Sequence, residues 1–329
     1  MLSTPFTELV GCSVPIQLAG MGGVAVPRLA LAVAEAGGLG MISSALMSPP
    51  ELARTLDQLR ERTSKPIGVN VVVALHDPRE LVEAAASRAR VVEFFLGTPE
   101  RSLVELVHKG GALACWQVGS KEDTLAAAEA GCDLIVVQGS AAGGHVEGRT
   151  SLLSLLDEVL DEVRVPIIAA GGIGSGRSMA AALAAGASAV RVGTRFAAAE
   201  EADIHPLYVQ KLIEARAKDT VLTEAFHVML PNMPHRVLRS CVEAATAFQG
   251  EITGELVMNG KKMPLPRWAV PCPTRETTGA IEAMVLYAGE STSMVKSVQP
   301  AATILEELAQ GAERHLRQWA TRLGATGAR

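Results

Sequence analysis

The fold of this chain is decided by a segment in which an apolar run leads into a glycine-rich turn, CDLIVVQGSAAGGH at residues 132–145. Residues 134–137 are apolar at every position, which is typical of a parallel strand buried on both faces. The glycines that follow allow the backbone to turn sharply and to approach a ligand closely. His145 is therefore predicted to lie just beyond the carboxyl end of a buried strand, where strand–helix proteins usually hold their chemistry.

The same unit recurs along the first 200 residues of the chain. Amphipathic segments separate eight strand-like runs, at residues 15–19, 39–43, 67–73, 91–96, 113–117, 134–137, 167–170 and 189–192. Strands that alternate with helices imply right-handed parallel crossovers. Eight such units favour a closed (β/α)8 barrel, the TIM barrel, over an open doubly wound sheet. We therefore predict an α/β fold built on a TIM barrel.

The repeat stops after the eighth strand. Residues 200–277 are too long for one more unit, contain helix-like pieces at 206–217 and 235–248, and end in a cluster of prolines. We predict an inserted, mostly helical subdomain near the C-terminal end that acts as a lid or substrate subdomain over the barrel mouth. Residues 1–199 and 278–329 then form the barrel, with returning helices at 278–287 and 301–323.

Composition limits the partners of this chain of 329 residues. The formal net charge is −5 and no run is basic, which argues against a nucleic-acid partner or an anionic membrane surface. The first residues lack the basic start and apolar core of a signal peptide. The most apolar window, 178–190, is shorter than the roughly 20 residues that span a bilayer. Five scattered cysteines without a CxxC pair suit reduced thiols, so we expect a cytoplasmic protein.

Two glycine motifs follow the seventh and eighth predicted strands, AGGIGSG at 170–176 and VGTR at 192–195. Unsatisfied amides at a helix start bind anions, and barrels often hold phosphate in these two loops. The alternatives are a tight turn without a ligand, or a nicotinamide loop. The spacing is not GxGxxG, and Arg191 stands where a ribose-binding acid would end the next strand. A phosphate cradle is the better interpretation, and Arg195 either neutralises the phosphate or pairs with a helix acid.

His145 is the candidate catalytic residue, because an imidazole that titrates near neutrality can serve as acid, base or hydrogen-bond donor. The alternative is a loop histidine with only a local hydrogen bond. The other histidines show neither HxxxH nor HxxE spacing, so no metal site is expected. Asn70, Gln117 and Gln138 end three predicted strands, and amides can match the donors and acceptors of a heterocycle. Together with the phosphate cradle they indicate flavin mononucleotide (FMN).

These motifs resemble those of the FMN-dependent nitronate monooxygenases, formerly called 2-nitropropane dioxygenases. The resemblance runs along nearly the whole chain and rests on PI and AGM within 15–21, AGGLG at 36–40, GVN at 68–70, QG and AGGH within 138–145, AAGGI at 169–173 and GTRF at 193–196. It implies that residues 1–199 and 278–329 form an FMN-binding barrel. It also implies that His145 is the active-site histidine, which either hydrogen-bonds a nitro group or acts as a base on a neutral nitroalkane.

The resemblance also assigns the cofactor site. The flavin ring and ribityl chain are expected beside Gly20, Met21, Gly22, Asn70, Gln117 and Gln138. The phosphate is expected at Gly171, Gly172, Gly193 and Thr194. Four more residues are expected near the cofactor: Gly143, Gly144, Tyr287 and Ser291. Two positions depart from the family, since Ala141 replaces a frequent acid and Glu290 a frequent glutamine. The second departure would place a carboxylate near a site for an anionic substrate.

The implied reaction is the oxidation of alkyl nitronates, of the propionate-3-nitronate type, by O2 to a carbonyl compound and nitrogen oxyanions. The implied partners are a small-molecule substrate and O2, and a homodimer stays open. Flavin-dependent enoyl-acyl-carrier-protein reductases, which use NAD(P)H, share the barrel and the Gly-Gly-His turn, although PNMPHR at 231–236 looks more like a monooxygenase. The motifs are also compatible with a flavin-free barrel lyase or isomerase that takes a phosphorylated substrate, and with a non-catalytic flavin-binding protein.

Overall fold

A computed structural model describes residues 2–75, 77–258 and 261–326 of the chain. Eight parallel strands form the predicted barrel, and a ninth, β7, is a two-residue strand outside it. The first nine strands in chain order are β1 Ile16–Leu18, β2 Gly40–Ser43, β3 Ile67–Val72, β4 Val91–Phe95, β5 Leu113–Val118, β6 Leu134–Gln138, β7 Gly144–His145, β8 Ile167–Ala170 and β9 Ala189–Val192. The eight predicted runs therefore match the eight barrel strands.

The barrel closes where the first and second strands meet. The sheet runs in the order β1-β9-β8-β6-β5-β4-β3-β2, and a parallel bridge joins Gln17 to Leu39 at its two ends. The amide of Leu18 donates to the carbonyl of Leu39 at 3.0 Å, and the amide of Leu39 donates to the carbonyl of Ile16 at 2.9 Å. Because the eight strands are parallel and the sheet is closed, their carboxyl ends lie together on one circular rim.

Helices connect the barrel strands, and local chemistry sets their ends. Ser120 accepts a hydrogen bond from the amide of Asp123 at the start of α6, and Gly131 ends that helix in the left-handed conformation with φ of 99°. The first nine helices are α1 Pro5–Val10, α2 Pro27–Glu35, α3 Pro49–Arg62, α4 Arg79–Ala86, α5 Arg101–Gly110, α6 Lys121–Ala130, α7 Leu152–Val159, α8 Gly176–Ala184 and α9 Thr194–Ala197. None of the helices in the described part of the chain is both long and apolar enough to cross a membrane.

The segment 200–277 contains strands as well as the predicted helices. Its elements are α10 Pro206–Glu214, β10 Thr220–Thr223, β11 His235–Leu238, α11 Arg239–Ala247, β12 Ile252–Met258 and β13 Lys261–Pro266. The helix predicted at 235–248 begins four residues late, because its first residues pair as β11. β11 is antiparallel to both β10 and β7, which sets His235 opposite His145. This pairing fastens the segment to the glycine-rich turn.

One predicted returning helix is present and one is not. α12 spans Ala301–Thr326 and covers the predicted helix at 301–323. The predicted helix at 278–287 is wrong: Thr278–Gly279 forms β14 against β12, and a single 3-10 turn follows at Ile281–Ala283. Gly279 has φ of 114°, a conformation that no helix accommodates. Backbone pairing to β12 therefore takes the place of a helical turn.

α12 packs against α8 through two glycines. A Cβ atom added to Gly176 would lie 2.5 Å from the backbone of Gly311. We predict that Gly176→Ala destabilises the protein by about 1–3 kcal/mol through overpacking, although alanine is the better helix former. Urea unfolding of the apoprotein measures this change. Gln310→Ala, at an exposed position of α12, is the control, and a gain in stability for Gly176→Ala would contradict the contact.

Candidate active site

A cavity of about 240 Å³ opens at the carboxyl ends of the barrel strands. Every residue predicted for the site lines this cavity: His145, Gly20, Met21, Gly22, Asn70, Gln117, Gln138, Gly143, Gly144, Gly171, Gly172, Gly193, Thr194, Tyr287 and Ser291. Barrel closure explains this, because it gathers the loops after distant strands onto one rim. The structure thus brings these residues together, while their roles in binding or catalysis stay predictions.

A buried carboxylate that the sequence analysis did not identify lies inside the barrel. Glu93, on β4, is fully buried. Its Oε2 accepts a hydrogen bond from Nε2 of Gln17 at 2.6 Å, and its Oε1 accepts from Nδ2 of Asn70 at 2.8 Å. The available signal was an acid within an otherwise apolar strand, VVEFF at 91–95. Such a position requires a partner, because an unpaired buried charge is costly.

Arg191 is the partner of Glu93. It extends from β9, and its Nη1 donates to Oε1 of Glu93 at 2.6 Å and to Oε1 of Gln117. Arg191 also lines the cavity and is only 8% exposed. Arg191 therefore belongs to a polar network inside the barrel, together with Gln17, Asn70, Glu93 and Gln117.

The first of the two predicted phosphate loops adopts a conformation that needs glycine. Gly171 and Gly172 have φ of 104° and 73°, and a Cβ atom at Gly171 would lie 2.7 Å from the carbonyl oxygen of Gly139. Arg195 does not line the cavity. Its Nη2 donates to Oε2 of Glu307 on α12 at 2.8 Å. Of the two roles considered for Arg195, the structure thus shows the pair with a helix acid.

His145 is held by backbone contacts on both sides. Its carbonyl accepts a hydrogen bond from Nε2 of Gln138 at 3.0 Å, and the amide of Val146 donates to the carbonyl of Pro234 at 2.9 Å. The His145 ring centroid lies 5.4 Å from that of His235 and 5.7 Å from that of Tyr287. Nε2 of His145 is buried and has no hydrogen-bond partner within the described residues.

Burial changes the protonation of His145. Loss of hydration, with a smaller effect of the neighbouring His235, lowers the pKa of His145 from 6.5 to about 4. The expectation that this imidazole titrates near neutrality was therefore wrong, and His145 is neutral at pH 7. Burial also lowers the pKa of His235, whose Nε2 accepts from the amide of Phe226 at 3.3 Å and whose Nδ1 lies 2.8 Å from the carbonyl of Met233.

Arg236, next to His235 on β11, connects this strand to the glycine-rich turn at Ser140 and to the segment that contains Glu290. Its Nε and Nη2 donate to the carbonyl of Ser140 at 3.1 and 2.8 Å, and its Nη1 lies 3.5 Å from Oε1 of Glu290. Glu290 is half-exposed and lies outside the cavity lining. Its carboxylate therefore pairs with Arg236, and its backbone amide donates to the carbonyl of Ala141 at 3.0 Å. The two positions that depart from the family are thus in direct contact.

The mouth of the cavity is apolar. Leu46 and Met229 line it although they are 37% and 56% exposed. Leu96 and Met229 both have positive φ, 57° and 86°, which is uncommon for residues other than glycine. Leu75, Leu230 and Val270 complete this surface. Among the described residues that line the cavity, Arg191 alone carries a formal charge at pH 7, and Glu93 balances it.

A family model described as nitronate monooxygenase matches residues 3–311. The chain belongs to the nitronate monooxygenase family. This membership makes the chain an oxidoreductase of that family and confirms the resemblance drawn from the sequence motifs. The cavity at the strand ends is accordingly the candidate active site of a nitronate monooxygenase family member.

Relatives of this family member carry different names. It is 37% identical over 242 residues to (3aS,4S,5R,7aS)-5-hydroxy-7a-methyl-1-oxo-octahydro-1H-indene-4-carboxyl-CoA dehydrogenase of Mycobacterium tuberculosis, covering 73% of this chain and 67% of that one. FabK from Thermotoga maritima has a TM-score of 0.81 at 30% identity, covering 98% and 100% of the two chains. Nitroalkane oxidase from Streptomyces ansochromogenes has a TM-score of 0.77 at 27% identity, covering 96% and 99%.

The lowered pKa of His145 predicts how stability depends on pH. The unfolded chain binds a proton at this histidine below about pH 6.5, whereas the folded chain does so only below about pH 4. Stability is therefore lost as the pH falls from 6.5 to 4, by about 3 kcal/mol at this residue. Urea unfolding of the apoprotein across this range measures the loss. His145→Asn is expected to show a shallower slope, and equal slopes would contradict the lowered pKa.

Proposed function

We propose that this family member is an FMN-dependent oxidoreductase that oxidises alkyl nitronates with O2 to a carbonyl compound and nitrogen oxyanions. The observation that carries the proposal is Nε2 of His145, which is buried at the cavity wall without a partner among the described residues. A buried polar atom of this kind requires a hydrogen bond, and a ligand in the cavity supplies one. Family membership supports nitronate as that ligand.

The cavity residues fit FMN. Oε1 of Gln138 is buried without a partner in the described part of the chain, and it would accept a hydrogen bond from a ring N–H. Gly171, Gly172, Gly193 and Thr194 would hold the phosphate, since the first two glycines bring bare backbone to the cavity. When bound, the flavin supplies electron transfer between the substrate and O2. The protein contributes orientation, exclusion of water and hydrogen bonds.

His145 acts as a hydrogen-bonding residue in this proposal. With a pKa of about 4, its imidazole stays neutral at pH 7 and is a weak base. A neutral imidazole with its proton on Nε2 can still donate a hydrogen bond to a nitronate oxygen. The substrate is accordingly a nitronate that is already ionised, and the other role considered for His145, abstraction of a proton from a neutral nitroalkane, is disfavoured.

The charge of the cavity lining favours an alkyl nitronate over propionate-3-nitronate. Propionate-3-nitronate carries a carboxylate in addition to its nitronate group, and burial of a carboxylate without a partner is costly. The guanidinium of Arg191 is already balanced by Glu93 at 2.6 Å. The apolar mouth formed by Leu46, Leu96 and Met229 instead suits an uncharged alkyl chain.

A second candidate function is the oxidation or reduction of an acyl thioester. The apolar mouth also suits an acyl chain, and the relative from Mycobacterium tuberculosis is named as a carboxyl-CoA dehydrogenase. An enoyl thioester reductase of this kind would draw electrons from NAD(P)H. The two functions therefore differ in the compound that reduces the bound flavin.

The first test is an anaerobic visible spectrum of the FMN-loaded protein. We expect loss of flavin absorbance on addition of the nitronate of 1-nitrobutane and no change with NADPH, because the proposed electron donor is the nitronate. Reduction by NADPH, followed by reoxidation with an enoyl-CoA, would establish the second candidate instead. A protein that binds no FMN would refute both.

His145→Asn tests the hydrogen-bonding role. We expect kcat/KM of this variant for the nitronate to fall by about 100-fold, the usual effect of removing one such donor. In the wild type, we expect kcat/KM to stay constant between pH 6 and 9. Oxygen consumption measures the rate. His205→Asn is the matched control, since His205 caps α10 outside the cavity lining. Activity of His145→Asn equal to that of the control would exclude the role.

Substrate charge provides a separate prediction. We expect kcat/KM for the nitronate of 1-nitrobutane to exceed that for propionate-3-nitronate by at least about tenfold, because the carboxylate of propionate-3-nitronate meets no unbalanced cation among the described lining residues. Met229→Arg, which adds a cation at the mouth, is expected to narrow this ratio, and Met229→Gln is its uncharged control. A wild-type preference for propionate-3-nitronate would contradict the argument from charge.

A further inference from the structure

The amides that line the cavity do not have a fixed hydrogen-bonding direction of their own. A carboxamide can present either its oxygen or its nitrogen to a ligand, and its neighbours decide which. Asn70, Gln117 and Gln138 each use one end of the amide inside the protein. The pattern that a ligand meets is therefore set by the groups behind these three side chains.

Glu93 and Arg191 set the direction of two of the three amides. Ionised Glu93 can only accept hydrogen bonds, so it draws Nδ2 of Asn70 towards itself at 2.8 Å and leaves Oδ1 for the cavity. Arg191 can only donate, so it draws Oε1 of Gln117 and leaves Nε2 for the cavity. Neither remaining atom has a hydrogen-bond partner in residues 2–75, 77–258 and 261–326.

The third amide is fixed by backbone. Nε2 of Gln138 donates to the carbonyl of His145 at 3.0 Å, which leaves Oε1 as an acceptor. The cavity thus presents an acceptor at Asn70, a donor at Gln117 and an acceptor at Gln138. A ligand that fits must supply groups of the opposite kind at these places.

We propose that Glu93 and Arg191 are positioning residues that impose this acceptor–donor–acceptor pattern on the cofactor cavity. Neither needs to touch the reacting atoms. The ion pair acts through Asn70 and Gln117, and it requires both charges, because removal of one leaves the other buried and unpaired. The inference rests on the proposed function only in taking FMN as the ligand, whose ring N–H and ribityl hydroxyls can donate to acceptors and whose ring carbonyls can accept from a donor.

The experiment compares Glu93→Gln, Arg191→Gln and the double variant with the wild type. FMN dissociation constants come from titration of the apoprotein by flavin fluorescence, and stability comes from urea unfolding of the same apoprotein. Glu307→Gln is the matched control, because Glu307 also pairs with an arginine, at 2.8 Å, but lies outside the cavity lining. Neither measurement depends on turnover.

We expect Glu93→Gln to raise the dissociation constant of FMN by at least about tenfold, the value of one hydrogen bond. The glutamine offers one oxygen and one N–H₂ group to the three donors that surround this side chain, so at least one hydrogen bond is lost and the remaining ones are no longer charge-assisted. Each single variant also loses stability through its unpaired partner. The double variant regains most of that stability, since no charge is left unpaired. Its dissociation constant for FMN, however, stays at least about tenfold above that of the wild type.

A double variant that binds FMN within about twofold of the wild type would overturn the inference, because the pattern would then not depend on the ion pair. The inference would also be overturned if Glu307→Gln weakened FMN binding as much as the Glu93 and Arg191 variants do. The loss of any arginine–glutamate pair would then be enough to weaken FMN binding. If the wild type binds FMN but oxidises no nitronate, the proposed substrate fails while this inference stands. If the wild type binds no FMN, both fail.

Discussion

Closure of the sheet between β1 and the residue before β2 is the constraint on which the site depends. Two backbone hydrogen bonds around Leu39 make the first and last strands of the sheet neighbours. Closure bends the parallel sheet into a ring, so that the carboxyl ends of β3, β5, β6, β8 and β9 surround one cavity. The amides, the glycine turns and the buried ion pair come from distant parts of the sequence, and barrel closure brings them to the same cavity.

The segment 200–277 contributes to the site through backbone pairing and not only as a cover. β11 extends a small sheet onto β7, so that His235 lies opposite His145. The same strand carries Arg236, which reaches the carbonyl of Ser140 and the carboxylate of Glu290. The environment that keeps His145 neutral is therefore built by both parts of the chain, since desolvation and the proximity of His235 both lower its pKa.

The sequence predicted the barrel well, because parallel strands buried on both faces are continuous apolar runs such as 134–137. It predicted which residues share the cavity because strand ends and glycine turns are visible in order along the chain. It did not predict β10–β13, since strands with exposed faces, such as Lys261–Pro266, lack such runs. The importance of Glu93 and the low pKa of His145 depend on neighbours that are distant in sequence, for example Arg191 and His235.

The antiparallel contact between β7 and β11 has a consequence for engineering. Many enzymes can exchange a peripheral segment as a module while the catalytic residues stay on the scaffold. Here the catalytic candidate His145 is itself an edge partner of the segment that would be exchanged. A graft from another family member would carry its own strand, and with it a new register for the histidine. Exchange of this one segment would then alter both the substrate range and the basicity of the His145 imidazole.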